Sequence, residues 1–209
     1  MDLGRFGWDI LTFSFIGTVV TNLIGLWGIG EQNRKVWRVR SGRSVSVTMM
    51  SYSAAFLTAA AVYGVSKYGL DMPENALAVN LIRVPVFIAV LVGLWKFKGF
   101  TVCETVLCVL FAVMVAATAL LPCKDWIFLA LCIGTWFSLL PQAAEIWKHG
   151  RGVADVRFLW VTVFSAFIWT VYGFALGDWV LSLTNPVFLA IILATLVLWY
   201  VRREPLTSR

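Results

Sequence analysis

The chain has 209 residues, of which 60% are hydrophobic and 13% are charged, and its mean hydropathy is +0.85. So few charges cannot cover the surface of a soluble domain of this length, so the composition predicts an integral membrane protein in contact with the lipid bilayer. The formal net charge is +6. No soluble basic domain is left over to carry that charge, which excludes a nucleic-acid partner.

Seven apolar runs follow one another along the chain, and each is close to the length of about 20 residues that a helix needs to cross a bilayer. Basic residues gather in the loops after the first, third and fifth runs and in the C-terminal tail. The positive-inside rule therefore predicts an external N-terminus and a cytoplasmic C-terminus, in a protein of the plasma membrane. The predicted spans are residues 10–30, 45–66, 75–95, 101–121, 126–147, 156–176 and 179–201.

Three features recur in the same order in both halves of the chain. A Gln precedes a Trp by five residues at a basic turn, a Tyr-Gly pair ends the next apolar run, and an Asn lies inside the run after that. An internal repeat of this kind is typical of transporters built from two copies of one bundle, with the site where the copies meet. The residues are Gln32, Tyr63-Gly64 and Asn80, then Gln142, Tyr172-Gly173 and Asn185.

The repeat divides the spans into three, one and three. We predict a first three-helix bundle at residues 1–97, a linker helix at 98–121, and a second three-helix bundle with a short cytoplasmic tail at 122–209. Three helices end on the opposite side of the membrane from where they start, and the linker helix returns the chain. The expected fold is therefore an all-α membrane protein with two parallel bundles.

These residues resemble a known family. Residues 164–200, FSAFIWTVYGFALGDWVLSLTNPVFLAIILATLVLWY, resemble the sixth and seventh helices of the SWEET sugar transporters. The pair Pro141-Gln142 resembles the Pro-Gln pair that names the wider PQ-loop repeat family. The resemblance implies a SWEET-like fold and uncoupled alternating access for a small polar solute, a mono- or disaccharide first of all. Some relatives move amino acids and others bind peptides. The alternatives are therefore an acidic or amino-acid-like solute, or a receptor of the same fold that does not transport.

Asn80 and Asn185 are the first candidates for solute binding. An amide can donate and accept hydrogen bonds at once, which suits the hydroxyls of a sugar. A polar side chain among apolar ones is costly unless it faces a cavity or another helix, so packing between helices is the alternative. The resemblance implies that this Asn pair binds the sugar.

Three further residues are candidate walls or contacts of the same site. Trp169 can cover the apolar face of a pyranose, and the small side chains around Thr58 hold the corresponding place in the first copy. Arg83 lies one turn beyond Asn80, and no acid stands in the middle of an apolar run to neutralise it. It either binds backbone carbonyls while reaching partly toward water, or it lines the cavity and binds a hydroxyl or an anion.

Pro141 and Gln142 stand near the cytoplasmic end of the fifth span, where proline can bend the helix and a gate can close. The first copy has Gln32 in the matching place, preceded by Glu31 rather than proline, so its hinge is not fixed by the pattern.

We expect no enzyme activity, because the sequence shows no catalytic pattern, and no cofactor or metal, because Cys and His have no ligand spacing. The acids Glu104, Glu145 and Asp155 stand near helix ends rather than mid-membrane, which favours a facilitator over a proton symporter. The sequence allows a homo-oligomer and does not specify one.

Overall fold

A computed structural model describes residues 7–41, 45–149 and 156–201. Asp155 therefore lies outside the described residues. Ten side chains inside helices are also outside the description, namely those of residues 138, 139, 141, 142, 144, 145, 148, 149, 157 and 158.

The described residues are helical and contain no strand, so the predicted all-α fold is confirmed. All helices except α5 are long and apolar enough to cross a membrane in the described part, with the 3₁₀ segment and α3 counted as one span. The helices are α1 (Ile10–Val39), α2 (Val47–Tyr68), a 3₁₀ helix (Ala76–Arg83) that continues as α3 (Val84–Phe97), α4 (Val102–Leu120), α5 (Lys124–His149), α6 (Val156–Leu176) and α7 (Trp179–Val201).

Polar side chains fix where several helices begin. Asp9 accepts a hydrogen bond from the Thr12 N–H at 2.7 Å at the start of α1, and Ser46 caps α2 in the same way. At α4, Thr101 and Glu104 form a capping box, in which each side chain accepts from the other's backbone N–H. Such caps satisfy N–H groups that have no partner within the helix.

Helix α1 is longer than the apolar run that predicts it. It continues through Gln32 to Val39 and ends at Arg40, whose backbone is left-handed with φ 50°. The polar residues after position 30 include no proline, and Glu31 pairs with Arg34 across one turn at 3.1 Å. Loss of hydrophobicity therefore does not end the helix, because these residues are good helix formers.

The chain divides into two compact units, Met1–Phe128 and Leu129–Arg209. In the first, the 3₁₀ helix and α3 pack against both α1 and α2, and α4 packs against α2. Tyr63 is fully buried and stacks on Phe128, with ring centroids 4.3 Å apart. In the second unit, α6 packs along α7. The predicted boundaries at residues 97 and 121 follow the helices rather than these units, and they stay a prediction.

Candidate functional site

In the first unit, α2 meets the 3₁₀ helix at Gly64. A Cβ added there would lie 2.8 Å from the Leu77 Cβ and would collide with the Asn75 side chain. Asn75 is itself fully buried, and its Oδ1 accepts from the Ala78 N–H at 3.1 Å while its Nδ2 donates to the Gly69 carbonyl. Glycine is therefore required here so that the capped start of the 3₁₀ helix can approach α2 closely.

The second unit repeats this arrangement between α6 and α7. A Cβ on Gly173 would lie 2.9 Å from the Leu181 Cβ and 3.0 Å from its carbonyl carbon. Asp178, which is 2% exposed, caps α7 by accepting from the Leu181 N–H at 3.0 Å. Tyr172, beside the glycine, is fully buried, as Tyr63 is in the first unit. The sequence repeat is thus also a repeat of local packing.

Asn80 lies on the 3₁₀ helix with its amide unused. The residue is 5% exposed, yet its side chain makes no hydrogen bond with any described residue. Its amide atoms are not fully enclosed either, since they are absent from the buried atoms that lack a partner. An Asn that joins two helices hydrogen-bonds the neighbouring helix through its amide, and Asn80 makes no such bond to the described residues.

Asn185 and Trp169 are brought together in the second unit. The Asn185 Nδ2 donates to the Trp169 carbonyl oxygen at 3.3 Å, which ties α7 to α6. The Asn185 Oδ1 accepts no hydrogen bond from the described residues, and the Trp169 ring packs edge-on against Tyr172 with centroids 5.6 Å apart. One amide oxygen and the Trp169 indole N–H are therefore left for a ligand.

The two asparagines lie at equal depth within their helices. Asn80 is five residues beyond its cap, Asn75, and Asn185 is seven beyond its cap, Asp178. A 3₁₀ helix rises about 2.0 Å per residue and an α-helix about 1.5 Å, so both separations come to roughly 10 Å. The tighter helix of the first copy compensates for its two missing residues.

Arg83 ends the 3₁₀ helix and lies against α1. A Cβ added to Gly25 would lie 2.8 Å from the Arg83 Cζ, and the guanidinium stands 5.8 Å from the centroid of the Phe87 ring. Arg83 makes no ion pair or hydrogen bond with the described residues, and its Nε is enclosed without an acceptor. Among the described residues it donates to no backbone carbonyl, and its role in the site stays a prediction.

The remaining predicted site residues are placed without an observed role. The Thr58 hydroxyl donates to the Ala54 carbonyl at 2.8 Å within α2. Gln32 lies inside the continuous helix α1, so this conformation shows no break there. Pro141 and Gln142 lie within α5, and their side chains are outside the described residues. The binding and gating roles of these residues stay predictions.

Sequence reasoning missed Gly25 and the capping residue Asn75. Gly25 is one of several glycines in α1, and the pattern gave no reason to prefer it over Gly28, which has open space around it. Asn75 could have been found, because an Asn immediately before a helical run is a start signal.

The fold was compared with known structures and sequences. It matches a 3.7 Å resolution structure of a eukaryotic SWEET transporter with a TM-score of 0.75 and 15% sequence identity, over 92% of this chain and 96% of that chain. The sequence matches no protein-family model and no curated protein. The chain is therefore an integral membrane protein with the seven-helix fold of a SWEET transporter, as the resemblance predicted.

Proposed function

We propose that this protein is a membrane transporter that moves a small hydroxylated solute of the sugar class down its gradient by alternating access. The observation that carries the proposal is the pair Asn80 and Asn185. Both lie about 10 Å inside apolar helices, and both keep hydrogen-bonding atoms unused. Such groups are costly in hydrocarbon and therefore mark a place where a polar ligand binds.

The chemistry left free in each unit suits a sugar. Asn80 offers both an N–H donor and a carbonyl acceptor, Asn185 offers an acceptor, and Trp169 offers an apolar face beside its indole N–H. A hydroxyl both donates and accepts, and a pyranose also has apolar C–H faces, so amides and a Trp ring complement it. The similar structure is named as a SWEET transporter, which supports the same class of activity.

The positions of the acids support uncoupled transport. Glu104 is bound in the capping box of α4 and pairs with Lys98 at 3.2 Å, and Asp125 pairs with Lys67 at 3.3 Å. Both acids stand in the first turn of their helices. A proton relay needs a titrating group within the membrane, and neither residue provides one.

Counterflow in proteoliposomes tests the proposal. Vesicles preloaded with unlabelled glucose should take up labelled glucose above the rate of protein-free vesicles, and an imposed proton gradient should not cause accumulation. Accumulation driven by pH and abolished by an ionophore would show a symporter. Saturable binding without counterflow would instead show a receptor of the same fold.

The orientation follows from charge and belongs to the same proposal. With the native cysteines removed, a cysteine at exposed position 71 should react with an impermeant reagent added outside cells, and one at exposed position 40 should not. The opposite result would place the N-terminus in the cytoplasm.

A further inference from the structure

We infer that the transported solute carries a carboxylate as well as hydroxyls, and that Arg83 with Asn80 forms the subsite that binds the carboxylate. A hydroxylated acid such as a sugar acid is the class of solute that fits. The inference rests on the proposed transport function, because it names the substrate class of the same site.

The first step is that the protein leaves the charge of Arg83 without a counterion. The guanidinium lies over the ring of Phe87 and close to α1 at Gly25. Asn22, one turn earlier on α1, has an enclosed Oδ1 with no donor, and Arg83 does not donate to it. Arg83 is half-buried, and its Nε is enclosed without an acceptor among the described residues. A guanidinium in apolar surroundings with no acceptor is costly unless a ligand supplies the missing oxygens.

The second step is that the Arg83 guanidinium lies at a depth within the hydrocarbon layer. Gly25 lies 15 residues beyond the start of α1, or about 22 Å at 1.5 Å per residue. That position is still inside a hydrocarbon layer about 30 Å thick. The contact with Gly25 places the guanidinium against the neighbouring helix at that depth.

The third step is that the 3₁₀ helix aligns Arg83 with Asn80. Residues three apart eclipse one another in a 3₁₀ helix, because it has about three residues per turn. Asn80 and Arg83 are three apart, and both are unbonded within the described part of the chain. One face of one helix therefore presents an amide and, about 6 Å further along, a guanidinium.

The fourth step is the choice of anion. The planar fork of arginine matches a carboxylate in a bidentate pair, and it matches a phosphate as well. Arg83 is the one basic residue of this span before Lys96. One positive charge balances one carboxylate and would leave a phosphate dianion with an excess negative charge, so we assign the carboxylate.

The test compares two sugars that share a ring and differ at one carbon, glucose and glucuronate. In proteoliposomes, the protein should take up glucuronate at least tenfold faster than glucose at equal low concentration. Arg83→Gln should lower glucuronate uptake at least thirtyfold, which corresponds to about 2 kcal/mol at 1.4 kcal/mol per tenfold. It should change glucose uptake less than threefold, and Arg83→Lys should lie between, because it keeps the charge and loses the fork.

A second pair of variants keeps Arg83 intact, in case its replacement prevents folding. Gly25→Ala places a methyl group against the guanidinium and should displace it, whereas Gly28→Ala, one turn further on α1, meets nothing within 4 Å. Glucuronate uptake should fall several-fold in Gly25→Ala and stay at the native rate in Gly28→Ala, with glucose uptake unchanged in both.

Two outcomes overturn the inference, and only one of them also rejects the proposed transport function. If glucose is transported and glucuronate is not preferred, or if Arg83→Gln lowers both equally, the solute is neutral and the proposed transport function stands. If the folded native protein takes up neither sugar, the proposed function fails and the inference fails with it.

Discussion

The third span of the first copy and α7 of the second copy each place an Asn at the same distance from a helix cap, but they use different helix types. Each starts from a buried capping residue beside a glycine that lets two helices approach closely, and each places an Asn roughly 10 Å further along. The first copy does so in five residues of 3₁₀ helix, and the second in seven residues of α-helix. Equivalence between the copies is therefore kept in distance rather than in residue number.

The difference has a local cause in the position of proline. Pro85 has no N–H, so in an α-helix it would leave the Leu81 carbonyl without its partner; here the Val84 N–H donates to Leu81 instead. Pro186 lies inside α7, which remains an α-helix around it. The early proline thus favours the 3₁₀ form, and that form is what aligns Asn80 with Arg83.

The largest expected effect comes from removing the amides that both copies keep. Asn80→Ala and Asn185→Ala should each lower uptake at least about tenfold, because an unpaired buried hydrogen-bonding group on the solute costs about 1–3 kcal/mol. Initial uptake rates per folded protein measure this, with Thr105→Ala, at an exposed position in the first turn of α4, as the control. Normal uptake in both folded variants would make these residues packing elements.

A smaller effect should follow from removing the prolines. Pro85→Ala lets the 3₁₀ segment relax to an α-helix, in which residues three apart are separated by about 300° rather than 360°, so Asn80 and Arg83 would diverge by about 60°. We expect uptake to fall about threefold, or roughly 0.6 kcal/mol. Pro186→Ala adds a hydrogen bond without changing the helix type and should stay within twofold. Equal losses of uptake in Pro85→Ala and Pro186→Ala would show that the 3₁₀ form of this segment is not needed for uptake.

The smallest effects should come from exchanging the caps. Asn75→Asp keeps the bond to the Ala78 N–H but loses the donor to Gly69, at a cost of about 1 kcal/mol. Asp178→Asn keeps a cap on α7 and gives up a negative charge at a helix N-terminus, which costs about 0.3–1 kcal/mol. Thermal unfolding in detergent should rank the first variant below the second. The reverse order would show that charge outweighs the Gly69 bond.

The sequence was sufficient for the spans and the fold, because a hydrocarbon layer imposes one length and one polarity on every helix. The repeat could be recognised in the sequence because the Tyr63-Gly64 and Tyr172-Gly173 pairs are fixed by packing. At each glycine the neighbouring helix is too close for a larger residue. The predicted end of α1 at residue 30 was wrong, since α1 continues to Val39. Hydropathy indicates which residues lie in the hydrocarbon layer, and it does not indicate where a helix ends.

The sequence could not show the environment of Arg83. Its contact with Gly25 joins residues 58 positions apart, and no periodicity within one helix encodes a contact between two. The 3₁₀ segment was also unforeseen, because long 3₁₀ runs are uncommon and the pattern of apolar residues does not separate the two helix types. The roles of Thr58, Pro141 and Gln142 remain predictions for the same reason.

The length of α1 has a consequence for the lipids around the protein. Its 30 residues span about 45 Å, which exceeds the hydrocarbon thickness of about 30 Å. The excess carries the exposed residues Arg34, Lys35, Arg38 and Arg40. Near an anionic leaflet each is worth about 1 kcal/mol, so the overhang should enrich phosphatidylserine-like lipids beneath the first copy, an attraction that salt would weaken.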